Sequence, residues 1–251
     1  MSPEVVLIVP CKCEGENASK TFGVILDIMD RPLECRPDKV ILVFDGDVDI
    51  RLPGTLPPDV LVTRSVGNTY GKTGACLAAL PVLWEQALIH SATALGFWDC
   101  DMEYDLSDLS SMILACRMNP GASVVGARSG GKRLWRSIFA NALVRQALRW
   151  RTGRVPPKDI LTGSRICPLG VSVQALLQSS RFEMETWMTR LCLEQGVPII
   201  EVPVAYRPRL RGKKIKPWDL FFLFYAAIRK YGAECDRHEQ RHTLAHQGSA
   251  H

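Results

Sequence analysis

The stretch Ala-Leu-Gly-Phe-Trp-Asp-Cys-Asp-Met-Glu, residues 94–103, predicts a buried strand that ends in a group of acidic side chains. The apolar part, Ala94–Trp98, is typical of a strand covered on both faces. At a strand end, residues i and i+2 project to the same side, so the carboxylates of Asp99 and Asp101 can meet one ion. Glu103 could supply a third oxygen. Hard oxygen ligands of this kind suit Mg²⁺ or Mn²⁺ bound to a diphosphate.

The same acidic residues have a simpler interpretation, in which they cap the helix predicted to begin near residues 105–108. A lone Asp-x-Asp pattern also arises readily by chance. The position of Asp99 directly after an apolar run favours the metal site, because this is where a strand-end ligand is expected.

Four further apolar runs predict strands of the same sheet, namely Val5–Val9, Val40–Phe44, Asp59–Thr63 and Ser123–Ala127. Helical stretches alternate with them, over Ala18–Met29, from Ala75 to about His90, and over Asp108–Met118. Strands that are apolar on both faces, with helices between them, predict an α/β fold with a mostly parallel sheet flanked by helices. Functional groups are expected at the carboxyl ends of such strands.

The second half of the chain has a more mixed pattern. It predicts a basic helix, a loop with a short strand, a helix, a strand and a final helix, over Arg133–Arg151, Lys158–Cys167, Glu183–Gln195, Pro198–Val204 and Trp218–Lys230. Neither a repeat nor a linker interrupts these segments, so we expect a single domain over residues 1–233. Residues 234–251 are polar and are expected to form a disordered tail.

Composition is that of an ordinary globular protein, with 251 residues, 47% hydrophobic and 23% charged. The net charge of +5 is mild and fits a protein that handles phosphates. Nine cysteines behind an N-terminus without a secretion signal predict free thiols in a reducing cytoplasm. No apolar run reaches the roughly 20 residues that a membrane-spanning helix needs.

Seven short motifs follow one another along the chain: Val6–Glu14, which contains Pro10-x-x-x-Glu14; Val43–Asp49; Asn68–Ala75; Asp99–Glu103; Val125–Arg128; Asp159–Arg165; and Glu201–Tyr206, with Arg209 and Gly212–Lys214 after it. In this order they resemble the glycosyltransferase family 2 proteins, especially polyprenyl-phosphate sugar transferases such as dolichol-phosphate mannose synthase. The resemblance implies a Rossmann-like GT-A fold. It also divides the domain into a nucleotide-sugar-binding half, about residues 1–128, and an acceptor-binding half, about residues 129–233.

The resemblance also implies residue roles. A UDP- or GDP-sugar donor would be bound by Pro10, Glu14, Asp45, the Gly-rich segment with Gly71 and Lys72, Asp99, Arg209 and Lys214. Mn²⁺ or Mg²⁺ would be held by Asp99, Asp101 and Glu103, and the anomeric configuration would be inverted. Judged locally, the glycines are equally typical of a plain turn into a helix. Phe44 and Cys13 stand where the family usually has Asp and Asn, which leaves the nucleoside base open.

The acceptor has two interpretations. Residues 207–216 carry six cations and lead directly into an aromatic-rich segment at 217–225. This pattern suits contact with an anionic membrane face and a polyprenyl phosphate acceptor, which needs no catalytic base. A solvated basic loop followed by a packed helix explains it as well. Arg128, with Arg133 and Arg136, could close over the diphosphate or an acceptor phosphate.

A hydroxyl acceptor, on a glycan or a small molecule, would need a general base. Asp159, Glu183 and Glu185 are the candidates. Glu183 and Glu185 fit better as surface charges at a helix N-terminus. Asp159 is more open, because its spacing to Arg165 matches the family loop.

Other function classes are less well supported. A sugar-nucleotide pyrophosphorylase would need a long Gly-rich loop after the first strand, and residues 11–16 are a poor version of it. A non-catalytic nucleotide-sugar binder would have no need of both Asp99 and Asp101. No Gly-x-Gly-x-x-Gly follows the first strand, which disfavours a dinucleotide oxidoreductase. We expect no nucleic-acid partner, and a cytoplasmic protein with at most peripheral contact to the membrane.

Overall fold

A computed structural model describes residues 2–12, 15–45, 56–65, 71–99, 103–105, 107–129, 135–180, 182–207 and 217–229. Seven strands form one sheet in the order β3-β2-β1-β4-β6-β5-β7. The strands are β1 (Glu4–Lys12), β2 (Lys39–Asp45), β3 (Val60–Ser65), β4 (Thr93–Phe97), β5 (Ser123–Ser129), β6 (Arg165–Pro168) and β7 (Ile199–Ala205).

Within the described residues, eight α-helices connect and cover these strands. They are α1 (Gly15–Met29), α2 (Lys72–Ala78), α3 (Leu80–Glu85), α4 (Ser107–Met118), α5 (Trp135–Thr152), α6 (Leu169–Gln178), α7 (Met184–Gln195) and α8 (Pro217–Ile228). A short 3-10 helix covers Leu33–Cys35. No helix in these described segments is long and apolar enough to cross a membrane.

The sheet is parallel except for one strand. Strand β6 runs antiparallel to both of its neighbours, β4 and β5, whereas all other pairs are parallel. The prediction of a single α/β domain with a mostly parallel sheet flanked by helices is therefore confirmed.

The side chains on the two faces of β1 pack into separate layers of the core, because successive side chains of a strand point to opposite faces. Leu7 packs with residues of α1 and α4 on one face. Ile8 packs with residues of α2, α3, α6 and α7 on the other. A smaller apolar cluster joins α5, α7 and α8. Both faces are thus buried, which explains the continuous apolar run of the sequence.

The order of the strands reverses beside β1. The chain places β2 and then β3 on one side of β1, and it continues with β4 on the other side. In open α/β sheets, ligands bind outside the carboxyl ends of the strands at such a reversal. The segment after Phe97, the last residue of β4, lies at this point.

One helix prediction was wrong, and one helix was missed. The single helix expected from Ala75 to His90 is broken at Ala79 into α2 and α3, and it ends at Glu85. Pro81, in the first turn of α3, has no N–H to donate to the carbonyl of the preceding turn. Helix α6 was not predicted, because Gly170 and its β-branched neighbours are poor helix formers, and buried contacts of Val171, Ala175 and Leu176 stabilise it instead.

The C-terminus of α7 provides a test of the fold. Gly196 ends this helix with φ of 75°, a conformation that costs a non-glycine residue about 1 kcal/mol. We expect Gly196→Ala to lower the free energy of unfolding by about this amount. As the control, Gly170→Ala in α6 meets nothing within 4 Å and is expected to leave stability unchanged or to raise it by about 0.5 kcal/mol. Urea denaturation measures both variants. Equal effects would contradict the left-handed conformation assigned to Gly196.

Candidate active site

The predicted site residues that the structure describes gather at the carboxyl edge of the sheet. Pro10 lies in β1, and Asp45 is the last residue of the neighbouring strand β2. Gly71, with φ of 64°, immediately precedes α2, whose first residue is Lys72. Asp99 follows the end of β4 by two residues. The strand reversal therefore brings these segments, which are far apart in sequence, to one edge.

An ion-pair cluster forms the centre of this edge. The Lys72 ammonium lies 2.8 Å from Oδ1 of Asp99 and 2.9 Å from Oε1 of Glu185. The three side chains are 18%, 25% and 12% exposed, respectively. One cation is thus held between two carboxylates in a partly buried position.

The side chains of this cluster shift one another's pKa values toward the charged forms. Burial by itself lowers the pKa of Lys72, but the Asp99 and Glu185 carboxylates outweigh it and hold that pKa well above its ordinary value. Burial by itself raises the pKa of Glu185, but the charge and hydrogen bond of Lys72 outweigh it and lower that pKa. Lys72 and Glu185 are therefore both charged at neutral pH.

Glu185 corrects one sequence-based interpretation. Glu183 and Glu185 were expected to be surface charges at the start of a helix, and they do stand at the start of α7. Both are buried, however, with whole-residue exposures of 5% and 9%. Glu183 accepts hydrogen bonds from the backbone N–H and hydroxyl of Ser180, at 2.8 Å each. Because α7 packs onto the sheet, its first turn faces the interior.

The backbone of Gly163 lies directly beside the same cluster. A Cβ atom at this position would lie 2.0 Å from Oδ2 of Asp99 and 2.9 Å from Nζ of Lys72. A side chain at position 163 would require Asp99 and Lys72 to move from these positions. The contact follows from the antiparallel direction of β6, which pairs Phe97 with Arg165 and so brings the loop before β6 beside Asp99.

The buried guanidinium of Arg165 holds this loop. It donates to the carbonyl of Thr162 at 3.2 Å, to the hydroxyl of Thr189 at 2.8 Å, and also to the carbonyl of Ile160. The sequence indicated Arg165 as part of a motif but not this role. Its structural function is to satisfy the backbone groups of a loop that would otherwise be buried without partners.

A second ion pair joins β5 to the same loop. Nε and Nη2 of Arg128 each donate to one carboxylate oxygen of Asp159 at 2.7 Å, and the Arg128 backbone N–H donates to the same carboxylate at 3.1 Å. The side chains are 7% and 1% exposed. Burial by itself lowers the pKa of Arg128, but the hydrogen bonds to Asp159 outweigh it and raise that pKa. Arg128 is therefore oriented and permanently charged.

Tyr206 connects this ion pair to Glu103, and Tyr104 binds the loop that contains Gly163. The Arg128 guanidinium lies 5.2 Å from the ring centroid of Tyr206, a cation–π distance. The Tyr206 hydroxyl donates to Glu103 at 3.2 Å. The Tyr104 hydroxyl accepts from the Gly163 backbone N–H at 3.1 Å, and burial raises the pKa of Tyr104 to about 12. The Tyr206 hydroxyl thus links Glu103 to the end of β7, and the Tyr104 hydroxyl binds the Gly163 loop. The two tyrosine rings contact each other, with centroids 5.6 Å apart.

The structure describes only some of the side chains predicted to bind a metal ion. Asp99 and Glu103 provide hard carboxylate oxygens at the same edge, and Asp101 lies outside the described residues. Within the described residues no group of three His, Cys, Asp or Glu side chains could hold a metal ion. The chemistry of Asp99 and Glu103 fits Mn²⁺ or Mg²⁺, provided that Asp101 completes the set.

Other predicted binding residues also fall outside the described segments. These are Glu14, Arg209 and Lys214, together with Arg133 and the tail from residue 234. Of the remaining predicted residues, the structure brings Lys72 to Asp99 and Arg128 to Asp159.

No protein-family model and no curated protein matches the sequence. Solved structures with similar folds exist. The glucosyl-3-phosphoglycerate synthase from Mycobacterium tuberculosis, in complex with Mn²⁺, UDP and glucosyl-3-phosphoglycerate, is 16% identical, with a TM-score of 0.56 over 92% of this chain and 82% of that one. The mannosyl-3-phosphoglycerate synthase from Rubrobacter xylanophilus is 15% identical, with a TM-score of 0.57 over 90% and 72%.

A nucleotidyltransferase also has a similar structure. The 4-diphosphocytidyl-2C-methyl-D-erythritol synthase is 14% identical, with a TM-score of 0.50 over 90% of this chain and 99% of that one. At such identities the likeness establishes the fold alone. The fold of this chain is therefore GT-A-like.

The buried Arg128–Asp159 pair gives a stability prediction. Asp159→Asn would leave the Arg128 guanidinium without its carboxylate, and breaking a buried ion pair costs about 3 kcal/mol. The matched control is Asp59→Asn, which breaks a partly exposed pair with Lys39 whose atoms are 3.4 Å apart and is expected to cost less than about 1 kcal/mol. Guanidinium denaturation compares the two variants. A similar loss in both would mean that the Arg128–Asp159 pair contributes no more than a surface contact.

Proposed function

We propose that this chain transfers a sugar from a nucleoside-diphosphate sugar to a hydroxyl group of a small acceptor, with Mn²⁺ or Mg²⁺ on the diphosphate. The observation that carries the proposal is the Lys72–Asp99–Glu185 cluster at the strand reversal of a GT-A-like sheet. A fixed cation next to a carboxylate at this position suits a diphosphate that gains negative charge as it leaves.

The donor would lie across the carboxyl ends of β1, β2 and β4. In the proposal, Pro10, Glu14 and Asp45 surround the nucleoside, and Gly71 lets the backbone approach the diphosphate. Lys72 binds the diphosphate through its ammonium group, which Glu185 keeps charged and aimed at this edge. Arg209 and Lys214 remain proposed phosphate ligands from the sequence.

The metal would be held by Asp101 with Glu103 and Asp99. When bound, it would supply positive charge that stabilises the leaving nucleoside diphosphate. Three M. tuberculosis glucosyl-3-phosphoglycerate synthase structures contain UDP or UDP-glucose with Mn²⁺ or Mg²⁺, which supports this pairing of donor and metal. Since Lys72 already occupies Oδ1 of Asp99, we assign Asp99 chiefly to the orientation of Lys72.

We propose that Arg128 contacts the acceptor, and that Asp159 is a positioning residue rather than a general base. Both carboxylate oxygens of Asp159 accept hydrogen bonds from Arg128, and the side chain is 1% exposed. A carboxylate in this position cannot reach a substrate hydroxyl. It can hold a guanidinium in a fixed direction for an anionic or polar group of the acceptor.

The structural neighbours favour a small acceptor with a hydroxyl group. The M. tuberculosis synthase has been solved with glycerol 3-phosphate and with glucosyl-3-phosphoglycerate, which are small phosphorylated molecules. These support a small hydroxyl acceptor over the polyprenyl phosphate that the sequence motifs favoured. In the proposal the anomeric configuration is inverted. Arg128 binds the Asp159 carboxylate and Lys72 binds that of Glu185. The proton of the attacking hydroxyl therefore passes to the acceptor's own phosphate group.

Donor binding tests the role of Lys72. We expect Lys72→Met to weaken the binding of UDP or GDP in the presence of Mn²⁺ by about tenfold or more, because it removes a charge-assisted hydrogen bond of about 1.5–3 kcal/mol. Glu185→Gln should have a smaller effect in the same direction. The matched control is Lys39→Met, at the opposite end of the sheet, and it should bind like the wild type. Isothermal titration calorimetry on variants with native melting temperatures measures this. Unchanged binding by Lys72→Met would remove Lys72 from the donor site.

Product analysis tests the reaction class. We expect UDP- or GDP-sugar, Mn²⁺ and a phosphorylated three-carbon hydroxyl acceptor to give a glycoside, with inversion seen by NMR. Chelation with EDTA and the Asp101→Asn variant should each abolish transfer.

Other outcomes of the same assays would reject the proposal. Transfer only to polyprenyl phosphate would reject the acceptor class. Release of pyrophosphate from a nucleoside triphosphate and a sugar phosphate would make the chain a nucleotidyltransferase. Binding of UDP or GDP without turnover of any donor would make it a binding protein.

A further inference from the structure

Four large apolar side chains are exposed along α5. Trp135, Ile138, Phe139 and Trp150 are 70%, 52%, 58% and 76% exposed, respectively. Their spacing, at intervals of three, one and eleven residues, brings them to one side of an α-helix. Monomeric proteins rarely expose so many large apolar groups on one element, so this face is expected to have a partner.

The opposite side of α5 is already packed. Val144 and Leu148 belong to the apolar cluster that also contains Leu223 and Ala227 of α8. The exposed side chains are therefore not core residues that were left without a layer. They form a second apolar face on a helix whose first face is buried.

Helix α8 also exposes apolar side chains. Phe221, Phe224 and Tyr225 are exposed on α8, and the rings of Phe221 and Tyr225 stack with centroids 6.2 Å apart. Helices α5 and α8 pack against each other, so exposed apolar side chains occur on both members of one helix pair. We call the exposed side chains of α5 and α8 named so far the aromatic face.

Helix α5 is rich in arginine, and one of its arginines, Arg151, is paired with Glu194 of α7 at 3.6 Å. Helix α5 contains four arginines and no acidic residue. The guanidinium of Arg136 lies 5.4 Å from the ring of Trp135, and that of Arg229 lies 5.5 Å from the ring of Tyr225. In the sequence, the six cations of residues 207–216 directly precede α8. Aromatic groups and cations are thus interleaved.

We propose that the aromatic face docks on an anionic lipid surface, with α5 and α8 lying in the membrane interface. An anionic bilayer supplies both an apolar layer for the aromatic rings and negative charge for the arginines. A second copy of the chain is a poor occupant, since a symmetric interface would bring the arginines of two α5 helices together. The proposal is independent of the acceptor and of sugar transfer.

Binding to vesicles of defined composition tests this surface. We expect the full-length protein to co-sediment with vesicles of equal parts phosphatidylcholine and phosphatidylglycerol at least about tenfold more tightly than with phosphatidylcholine alone. Binding should weaken as salt rises, because the cations of α5 act through the lipid charge.

Substitutions distinguish binding through the aromatic face from non-specific binding through other exposed apolar side chains. The triple variant Trp135→Ser, Phe139→Ser and Trp150→Ser should bind the anionic vesicles at least about tenfold more weakly, since each apolar side chain removed from the interface gives up burial free energy. The matched control is Trp84→Ser on α3, which removes a tryptophan that is 74% exposed elsewhere and should bind like the wild type. All three substituted residues of the triple variant are exposed, so native circular dichroism is expected.

Three results would overturn the proposal. One is the absence of wild-type binding to anionic vesicles, and another is equal binding by the wild type and the triple variant. The third is a wild-type dimer in light scattering that becomes a monomer in the triple variant, which would assign the face to a second copy. Hydrolysis of a nucleotide-sugar, measured without lipid, should be the same in all variants, so failure of docking and failure of the proposed function are distinguishable.

Discussion

The close contact between the Gly163 backbone and the Lys72–Asp99 ion pair determines how the carboxyl edge of the sheet is built. A side chain at position 163 would displace Asp99 from its contact with Lys72. The loop can approach only because β6 enters the sheet in the antiparallel direction beside β4. That direction turns residues 159–164 toward the strand ends, where Asp159 reaches Arg128 and Thr162 lies next to Tyr104. One reversed strand therefore joins the first and second halves of the chain at a single site.

Buried charge at this edge is balanced group by group. Lys72 is shared by two carboxylates, Arg128 is paired with one, and Arg165 is bound by backbone carbonyls and a threonine hydroxyl. Each cation is held at its position before any ligand arrives. Oriented charges of this kind lose little free energy to reorganisation when a charged substrate binds, and this makes the edge suitable for a diphosphate. The same pairs stabilise the packing of α2 and α7 on the sheet.

The site and the aromatic face are built from the same two chain segments. Strand β5 ends one residue after Arg128 and leads to α5, and β7 ends one residue before Tyr206 and leads to α8. Arg128 and Tyr206 are themselves in cation–π contact. The two connections differ in length, since five residues lie between β5 and α5 and eleven lie between β7 and α8.

The sequence by itself determined the strands, most helices and the position of Asp99, because continuous apolar runs and their spacing are local properties of the chain. It also indicated Lys72, Arg128 and Asp159 as site residues. Only the tertiary structure decided the direction of β6, the pairing of Arg128 with Asp159 and the partner of Lys72. Glu185 lies 113 residues beyond Lys72, and a carboxylate in the first turn of a helix reads as a surface charge until the packing of that helix is known. Burial and charge pairing depend on which elements meet in space, so no local pattern records them.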